Sequence, residues 1–254
     1  MKLLTLARDL QRRRARERQQ LFVAEGVRSV EELLRSGLQV QGAIASPTLA
    51  ASPRGEALRA SLVAQGVPIL DVDGHDFATA AATDSPQGVL VIAKIPQRRL
   101  ATLDLTSVAR LLLLDGVQDP GNVGTLVRTA AAFGAAATLA LPGTVDLWNG
   151  KVVRSAMGAL FHHSVVSCTW DELDEFLVSR AIPLWGADAD GEPLDQLRPP
   201  FPPAMAIAVG NEGAGLSPEA ARRAVRTVAI RTRPDVESLN VAVAAGILLH
   251  HFQA

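Results

Sequence analysis

The sequence predicts an α/β protein built from two domains, and three observations support this prediction. Apolar, strand-like segments alternate with helical segments through the second half, which indicates a mainly parallel sheet covered by helices on both faces. The 254 residues are 48% hydrophobic and 20% charged, enough apolar material for one large or two ordinary domains. A polar stretch at residues 95–104 interrupts the periodicity, and we expect domains over residues 1–98 and 105–254.

The first domain is predicted to be small and of α/β type. Helical spacing of apolar residues indicates two helices, Glu25–Ser36 and Ala57–Gln65, each followed by a glycine that ends it. Three short apolar segments indicate strands, and the last of them, apolar throughout, is typical of a buried strand. The predicted strands are Val40–Ser46, Pro68–Val72 and Gly88–Ala93.

The second domain repeats strand, loop and helix. Its predicted strands are Leu111–Asp115, Ala137–Leu141, Ser164–Thr169, Pro183–Ala187, Met205–Val209 and Val228–Ile230. Its predicted helices are Gly124–Phe133, Lys151–Ala159, Asp171–Ser179, Ser217–Ala224 and Leu239–Phe252. The sequence has no repeat with a period of 20–50 residues, which excludes a solenoid.

The net charge of −1 conceals a basic N-terminal segment. Residues 1–20 hold seven basic side chains against Asp9 and Glu17, whereas residues 105–254 hold 11 basic and 15 acidic ones. Cationic side chains bind nucleic acids by releasing the counterions condensed on the phosphates. The segment is therefore either an RNA-binding arm or a solvated arginine-rich helix. The arginines expected to bind RNA are Arg12, Arg13, Arg14, Arg16 and Arg18.

Other features exclude several classes of protein. The single cysteine, Cys168, excludes an internal disulfide framework and a multi-thiolate zinc site, and its apolar surroundings predict a place in the core. The adjacent pairs His162–His163 and His250–His251 have diverging side chains and no acidic partners at metal spacing, so we expect no metal. No apolar run reaches about 20 residues, and arginines follow the short apolar N-terminus. We therefore expect a cytoplasmic protein with neither a signal peptide nor a membrane partner.

The first chemical motif follows the predicted strand Leu111–Asp115. A glycine-rich stretch there precedes a predicted helix, and such loops let a ligand approach the backbone closely. The spacing Gly121-x-x-Gly124 matches neither the dinucleotide-binding motif nor the P-loop, which argues against both. We expect Arg128, about one turn into the helix, to face the same end of the sheet as Asn122. Alternatively, Asn122 caps the helix and Arg128 pairs with an acidic neighbour.

A second loop follows the predicted strand Met205–Val209. Asn211 and Glu212 stand there among three glycines, at the carboxyl end of a strand, where open α/β sheets bind their ligands. The next residues, Ser217-Pro218, have the pattern of a helix start, with serine at the N-cap and proline at the first helical position. We assign no chemistry to this Ser-Pro pair.

A third loop joins the last predicted strand to the last predicted helix. Ser238 stands where a serine usually serves as the N-cap of the helix. Capping does not readily explain Asn240, two positions further on, so we expect its side chain to face a site.

Together, these three stretches resemble the SpoU/TrmH family of RNA ribose 2′-O-methyltransferases. The motifs are Asn122-x-Gly124-x-x-x-Arg128, Gly210-Asn-Glu-Gly213 and Ser238-Leu-Asn-Val241, in this order, and the stretch Gly143–Phe161 is similar to the family too. The resemblance covers about residues 108–252. The first domain is similar in size and position to the small substrate-binding domain of the ribosomal-RNA branch.

The resemblance implies a catalytic domain of the SPOUT type. In that fold the C-terminal segment of a mainly parallel sheet threads a loop and forms a trefoil knot. Members bind S-adenosylmethionine as methyl donor in the knotted loops and act as homodimers whose active site is built between subunits. The positions implied at the donor are Val209, Gly210, Asn211, Ile230 and Leu239. The positions implied at the transferred methyl are Asn122, Arg128, Glu212, Ser238 and Asn240, with Arg128 also at the RNA.

The role of Arg128 has two interpretations. The matching arginine of the family is credited as the base that activates the ribose 2′-hydroxyl, yet guanidinium groups lose their proton only above about pH 12. We favour a fork that grips the adjacent phosphate and stabilises developing negative charge. Glu212 is either an alternative base or a carboxylate that orients Asn122 or Arg128. The stretch Ile230-Arg-Thr-Arg-Pro departs from the usual Ile-Pro-Met, and its two arginines could alter substrate contact or donor placement.

The predicted function is methyl transfer from S-adenosylmethionine to a ribose 2′-hydroxyl of structured RNA. Ribosomal RNA is favoured over transfer RNA as the substrate. The alternatives are a transfer RNA 2′-O-methyltransferase and a non-catalytic RNA-binding ribosome-assembly factor on the same fold. Intact Asn122, Arg128, Glu212 and Asn240 argue against the non-catalytic factor. A nucleotide-binding dehydrogenase would carry G-x-G-x-x-G, which is absent.

Overall fold

The computed structural model describes residues 2–233, 235 and 238–253. Internal contacts divide the chain into two compact units. The first unit is Met1–Gln97 together with Trp148–His162, and the second is Arg98–Leu147 together with His163–Ala254. The segment 148–162 thus belongs by its contacts to the first unit, although in sequence it lies within the second predicted domain.

The N-terminal part of the chain forms an open sheet with helices. Its strands are β1 (Leu21–Glu25), β2 (Val40–Ala45), β3 (Ile69–Asp71) and β4 (Val89–Lys94). Its helices are α1 (Lys2–Asp9), α2 (Arg13–Gln19), α3 (Val27–Arg35), α4 (Pro53–Ala64) and α5 (Gly74–Ala78). The strand order is β1-β4-β2-β3, with β4 antiparallel to both neighbours and β2 parallel to β3. Consequently β1, β2 and β3 all end at the same edge of the sheet.

Local signals explain where the first unit differs from its prediction. Strand β1 was not predicted, and Glu25 ends that strand rather than starting a helix. Gly26, with φ +92, reverses the chain between β1 and α3, which favours glycine at this position. Helix α4 begins at Pro53, four residues before the predicted start, because the Ser52 side chain accepts the Gly55 N–H as N-cap.

The remainder of the chain supplies six strands and six helices within the described residues. The strands are β5 (Ala109–Leu114), β6 (Ala137–Ala140), β7 (Val165–Ser167), β8 (Leu184–Pro193), β9 (Ala204–Val209) and β10 (Arg226–Ala229). The helices are α6 (Pro120–Ala132), α7 (Gly150–Ser155), α8 (Ala159–His162), α9 (Trp170–Ser179), α10 (Pro218–Arg223) and α11 (Val241–His251).

The sheet of the second unit confirms the predicted mainly parallel α/β class. Its order is β10-β8-β9-β5-β6-β7, and every neighbouring pair is parallel. The central strands β5 and β9 pair over their whole length, from Ala109↔Ala204 to Leu114↔Val209. Their carboxyl ends therefore lie side by side. The strand order reverses between β5 and β9, and parallel sheets usually bind ligands at such a switch point. The trefoil knot stays a prediction.

The segment 148–162 is held in the first unit by aromatic packing and one buried carboxylate. The Phe22 ring lies 4.6 Å from the Trp148 ring and 5.7 Å from the Phe161 ring, measured between centroids. The Arg154 guanidinium lies 3.5 Å from the carboxylate of Glu25, whose side chain is only 6% exposed. No local sequence pattern indicates that Trp148 and Phe161 pack against Phe22, which lies more than 120 residues earlier in the chain.

Arg110 and His163 are among the polar residues buried in the second unit. Arg110 donates from Nε to the carbonyl of Phe252 at 2.6 Å and from Nη1 to that of Pro203 at 2.6 Å, which ties the end of α11 to the start of β5. Nε2 of His163 lies 2.9 Å from the hydroxyl of Thr138, and the backbone carbonyl of His163 accepts from Arg98. Cys168 packs in the apolar core beside β7, as predicted, and burial raises the pKa of its thiol to about 12.

The buried His163 predicts a loss of stability in mild acid. Burial, and then the nearby Arg98 charge, lower the pKa of His163 from 6.5 to about 4. In the unfolded chain His163 binds a proton near pH 6.5, whereas in the folded chain it stays neutral down to about pH 4. The free energy of unfolding therefore falls as the pH drops from 6.5 towards 4. We expect His163 to account for about 2–3 kcal/mol of the free energy of unfolding lost by pH 4.5.

The measurement is urea unfolding of the wild type and of His163→Gln at pH 7.5 and pH 4.5. The variant should lose less stability between the two pH values, because glutamine does not titrate. His75→Gln is the control, since His75 is exposed and forms no ion pair among the described residues, so this variant should lose about as much stability as the wild type. Equal acid sensitivity of the wild type and His163→Gln would contradict the prediction.

Candidate active site

Three loops leave the carboxyl ends of strands in the second unit. The first follows β5, the second follows β9, and the third follows β10. Because all the strands of this sheet are parallel, the three loops start at the same edge. The motifs that the sequence singled out lie on these loops and on the helices that follow them.

The first motif lies in a helix rather than in a glycine-rich loop. Helix α6 begins at Pro120, four residues before its predicted start, so Gly121 and Gly124 are helical. The Asp119 side chain accepts the Asn122 N–H at 2.8 Å and caps the helix, with Pro120 at the first position. Asp119 therefore performs the capping that one interpretation assigned to Asn122, and the Asn122 side chain is left for other partners.

A chain of hydrogen bonds joins the three motifs. Asn122 donates from Nδ2 to Oε1 of Glu212 at 3.0 Å. Asn240 donates from Nδ2 to Oδ1 of Asn122 at 2.9 Å. The order is thus Asn240 to Asn122 to Glu212, and both ends of the Asn122 amide are engaged. Residues 90 and 118 positions apart in sequence meet in this chain.

Asn240 also caps the last helix, which the sequence had assigned to Ser238. Its Oδ1 accepts the Ala242 N–H at 2.9 Å, and α11 begins at Val241. The interpretation that capping does not explain Asn240 was wrong, because one amide caps the helix with its oxygen and reaches Asn122 with its nitrogen. Ser238 is exposed, and its side chain forms no hydrogen bond with any residue in the described ranges.

The surroundings of Glu212 favour its ionised form. Partial burial raises the pKa of the carboxyl, but the Asn122 hydrogen bond and backbone N–H groups, including those of Gln118 and Asp119, together lower it below its usual value. The two backbone contacts from Gln118 and Asp119 are long, at 3.5 and 3.4 Å. A carboxylate stabilised in this way is a weaker base, so this geometry favours orientation of Asn122 over proton removal.

The second loop is shaped by Asn211. Its Oδ1 accepts the N–H groups of Gly213 and Ala214 at 2.9 and 3.1 Å, and its Nδ2 donates to the Gly116 carbonyl at 3.0 Å. The backbones of Asn211 and Gly215 also exchange hydrogen bonds of 2.8 and 3.0 Å, which closes the loop. The Asn211 side chain thus fixes the loop and joins it to the first one, and its place at the methyl donor stays a prediction.

Gly210 is required by the closure of this loop. A Cβ there would lie 2.1 Å from the Gly215 carbonyl oxygen, so no other residue fits without moving the backbone. Gly210 and Val209 are both buried at the end of β9. The sequence named both as donor-binding positions, and the structure places them where the second loop leaves the sheet.

Ile230 and Leu239 frame the third loop, and their backbone groups have no partner among the described residues. Ile230 directly follows β10, Leu239 precedes the cap of α11, and both are half-buried. Within the part of the chain that the structure describes, their N–H and C=O groups make no hydrogen bonds. Partly buried backbone groups normally have partners, so these groups suit a small polar ligand held mostly by backbone.

Arg128 stands apart from the hydrogen-bonded chain. It follows Asn122 by six positions on α6, which corresponds to about 9 Å along the helix axis. It is exposed, and among the described residues it forms neither a hydrogen bond nor an ion pair. No acidic side chain pairs with Arg128 among the described residues, and its place at the same end of the sheet as Asn122 stays a prediction.

The two arginines of the third loop have acidic partners. Arg231 lies 2.9 Å from Asp195, and Arg233 lies 3.0 Å from Asp235. All four side chains are more than half exposed, so these pairs add little stability. The pairing leaves both guanidinium groups near the surface of the loop.

The N-terminal arginines fall into two groups. Arg12 and Arg13 form exposed ion pairs with Asp9 and Glu17, and Arg14 and Arg18 are exposed without an ion-pair partner in the described residues. Arg16 differs, because it is only 3% exposed and donates to the carbonyls of Leu10 and Gln11 at 2.7 and 2.9 Å. Arg16 therefore stabilises the turn between α1 and α2. The prediction that it contacts RNA was wrong, because its side chain is buried.

Sequence reasoning missed two carboxylates of the first loop. Asp115, only 3% exposed, accepts the Ser217 N–H at 2.6 Å and so ties the first loop to the start of α10. Asp119 is the cap of α6 described above. The Asp119-Pro120 pair was a visible signal for the cap, since proline favours the first helical position. The N-cap predicted at Ser217 with Pro218 is confirmed.

The described residues contain no group of three or more His, Cys, Asp or Glu side chains that could hold a metal ion. Both histidine pairs diverge as expected, with His162 and His250 exposed and His163 and His251 turned inwards. No helix in the described ranges is long and apolar enough to cross a membrane.

Comparison with known proteins places the chain in a family. The profile of the SpoU rRNA Methylase family matches residues 109–250, and that of the MRM3-like substrate binding domain matches residues 5–91. The chain belongs to the SpoU rRNA Methylase family.

Relatives and solved structures agree with this membership. The chain is 32% identical over 247 residues to the 23S rRNA (guanosine(2553)-2′-O)-methyltransferase RlmP of Bacillus subtilis, covering 97% of this chain and 94% of that protein. It is 34% identical over 170 residues to a 23S rRNA (adenosine(1067)-2′-O)-methyltransferase of Streptomyces laurentii, covering 66% and 63%. The AdoMet-bound rRNA methyltransferase from Sinorhizobium meliloti superposes with a TM-score of 0.85 at 27% identity, over 98% of this chain and 93% of that chain.

The hydrogen-bonded chain predicts that the pKa of Glu212 depends on Asn122. In Asn122→Ala the burial that raises the pKa remains, while a hydrogen bond that lowers it is lost. The pKa of Glu212 should therefore rise, which a carbon-13 NMR titration of the carboxyl group measures. Thr125→Ala is the control on the same helix, since the Thr125 hydroxyl bonds the Gly121 carbonyl and no other described residue. An unchanged pKa in Asn122→Ala would refute the described role of this amide.

Proposed function

We propose that this protein transfers the methyl group of S-adenosylmethionine to a ribose 2′-hydroxyl of ribosomal RNA. The observation that carries the proposal is the hydrogen-bonded chain from Asn240 through Asn122 to Glu212, which joins three loops at one sheet edge. Family membership and relatives that are named 23S rRNA 2′-O-methyltransferases support the substrate class.

The residues around the second and third loops fit the methyl donor. Backbone groups of Gly210, Ile230 and Leu239 would hold it, since those of Ile230 and Leu239 have no other hydrogen bonds in the described chain. When bound, S-adenosylmethionine supplies an electrophilic methyl group on a sulfonium. The protein supplies orientation and charge placement.

Asn122 and Asn240 are suited to position the RNA ribose and its phosphate. Each carboxamide has two N–H donors, and each donates one of them within the hydrogen-bonded chain. The second N–H of each amide is uncommitted among the described residues and can bind an oxygen of the substrate. Glu212 fixes the orientation of the Asn122 amide, so the second N–H of Asn122 points in one direction.

Arg128 and Ser238 are assigned to the substrate as well. Arg128 would grip the phosphate beside the target ribose and stabilise negative charge on the 2′ oxygen, because a guanidinium fork suits phosphate geometry. Its exposure and its lack of partners in the described chain agree with a ligand outside this chain's own loops. Ser238, also exposed on the third loop, is placed at the same substrate.

A homodimer would bring Arg128 to a second active site. The exposed apolar residues Val243 and Ile247, 51% and 38% exposed, lie one turn apart on α11. Helix α11 packs on α6, where a Cβ added to Gly246 would meet Thr129 at 3.4 Å. We assign the exposed surfaces of α6, the helix of Arg128, and of α11 to the interface between two copies of the chain.

The first unit is assigned to RNA binding and the second to methyl transfer, in a cytoplasmic protein. The match to a substrate-binding domain over residues 5–91 and the exposed arginines of α2 and of its N-cap, Arg12, support the first assignment. Arg12, Arg13, Arg14 and Arg18 are the proposed phosphate contacts. A protein that binds ribosomal RNA tightly but does not bind the donor would instead be a non-catalytic assembly factor.

Arg128→Ala should lower methyl transfer to ribosomal RNA by at least about 100-fold, because it removes charge stabilisation at the reacting oxygen. The Kd for S-adenosylmethionine should stay within about threefold, since backbone groups hold the donor. Tritium transfer from labelled donor measures the first, and isothermal titration measures the second. Arg180→Ala is the control, an exposed arginine at the end of α9 and outside the three loops. Full activity of Arg128→Ala would remove this residue from the mechanism.

Mixed dimers test whether the active site is shared between subunits. Neither Arg128→Ala nor Asn122→Ala alone should be active. If a site combines Arg128 of one subunit with Asn122 of the other, a refolded equimolar mixture should regain about a quarter of wild-type activity, because half of the dimers are mixed and each has one intact site. A mixture without activity would place both residues in the same subunit's site.

The arginine-rich helices predict a steep salt dependence of RNA binding. Replacing Arg12, Arg14 and Arg18 by glutamine should reduce the slope of log Kd against log salt concentration by about two to three. Each phosphate that loses its arginine keeps its condensed counterion, so fewer ions are released on binding. The control replaces Arg28, Arg35 and Arg54 of the same unit, which removes the same charge from other surfaces. Equal slopes for both triple variants would mean that α1 and α2 do not contact the phosphates.

A further inference from the structure

The first unit contains a cavity that the proposed methyl-transfer site does not use. It measures about 400 Å³ and lies where the parallel neighbours β2 and β3 end. Ala45 and Asp71, the last residues of the two strands, pair with each other and line it. The carboxyl ends of parallel strands are the usual place for a ligand in an open α/β sheet.

Ser46 presents an unbonded hydroxyl to this cavity among the described residues. It lines the cavity and is only 7% exposed, yet its hydroxyl forms no hydrogen bond with any residue in the described ranges. Its backbone is already engaged, since the N–H donates to the Gly88 carbonyl and the C=O accepts from the Leu49 N–H, both at 3.0 Å. The Ser46 hydroxyl therefore offers one donor and one acceptor to a molecule in the cavity.

Close packing of the backbone holds Ser46 in place. Gly88 has φ +77, and a Cβ there would lie 2.5 Å from the Leu49 nitrogen and 2.8 Å from the Ser46 hydroxyl. A Cβ on Gly55 would lie 1.8 Å from the Leu49 carbonyl oxygen. The turn that carries Ser46 is thus enclosed by two glycines, and this side of the cavity is formed before any ligand arrives.

The other walls combine a planar ion pair with apolar groups. Arg59 and Asp71 form a two-pronged pair, with Nη1–Oδ1 and Nη2–Oδ2 distances of 2.6 and 2.8 Å. Asp73 caps α5 through Oδ1, which accepts the Asp76 N–H at 2.7 Å, and its Oδ2 is unbonded among the described residues. Pro47, with Leu49, adds apolar surface.

We propose that this cavity binds one unpaired nucleobase of the RNA substrate, and that it favours a base with an exocyclic amino group. Single-stranded bases stack on apolar and guanidinium surfaces, which Pro47 and Arg59 provide. The carboxylate of Asp73 accepts from an amino group, as acidic side chains do from cytosine, whereas it repels a phosphate. Uracil has no amino group, and its one edge N–H, at N3, lies between two carbonyl oxygens that a carboxylate repels, so it is the disfavoured base. The inference rests on the proposed function, which makes RNA the substrate.

The test compares two RNA octamers of equal charge, oligo(C) and oligo(U), bound to the full-length protein. Both carry the same phosphates, so the arginines of α1 and α2 contribute equally to each. We expect oligo(C) to bind at least about fivefold more tightly than oligo(U) in fluorescence anisotropy, since one discriminating contact is of that order.

Three variants locate the preference in the cavity. Ser46→Ala removes the free hydroxyl, Asp73→Asn removes the charged acceptor but keeps a good cap, and Ala50→Leu narrows the cavity from its exposed rim. Each should bring the ratio of the two Kd values towards one while leaving the Kd for oligo(U) unchanged. Ser61→Ala, on the exposed side of α4, should keep the wild-type ratio.

Two outcomes would overturn the cavity proposal: equal binding of both octamers by the wild type, or a preference that survives all three cavity variants. Methyl transfer to ribosomal RNA, measured on the same preparations, reports separately on the proposed function. A wild type that methylates ribosomal RNA but binds both octamers equally refutes only the nucleobase cavity. A wild type that prefers oligo(C) through Ser46 and Asp73 but transfers no methyl group supports the cavity and refutes the proposed reaction.

Discussion

The arrangement of the second unit's site depends on the Asn122 amide, which accepts from Asn240 and donates to Glu212. An amide can do both only if its plane is fixed by partners on opposite sides, so the three loops cannot shift independently. This requires β5 and β9 to be neighbours in the sheet, because only then do the first and second loops leave it side by side. Asn211 strengthens the arrangement by joining the second loop to the Gly116 carbonyl.

Helix caps place the polar groups of the site. Asp119 is the N-cap of α6, which leaves the Asn122 side chain free to bond Asn240 and Glu212. Asn240 is the N-cap of α11, and its amide also donates to Asn122. The Glu212 carboxylate lies against backbone N–H groups just before α6, where the partial positive charge of a helix start favours an anion. The same contacts that hold Glu212 lower its pKa, which explains why its geometry suits orientation better than proton removal.

The first unit shows that contacts and sequence order need not coincide. The connection between β6 and β7 contributes residues 148–162 to the unit formed by the N-terminal residues, with Trp148 and Phe161 packed on Phe22. Removing the N-terminal residues would expose these rings, so charge-changing variants of α1 and α2 report on RNA binding more cleanly than a deletion. Arg16 illustrates the same point at one residue, because it lies in the basic stretch yet serves the turn between two helices.

The sequence alone determined the parallel α/β class of the second unit, the three polar motifs at strand ends and the Ser217-Pro218 cap. These features depend on periodicity and on residues a few positions apart, which act within one element. Only the tertiary structure decided that Asn240 caps α11, that Glu212 holds Asn122, that Arg16 is buried and that Arg128 has no partner in the described chain. Such pairings join residues up to 118 positions apart, and they follow from the order of strands in the sheet, which no local pattern encodes.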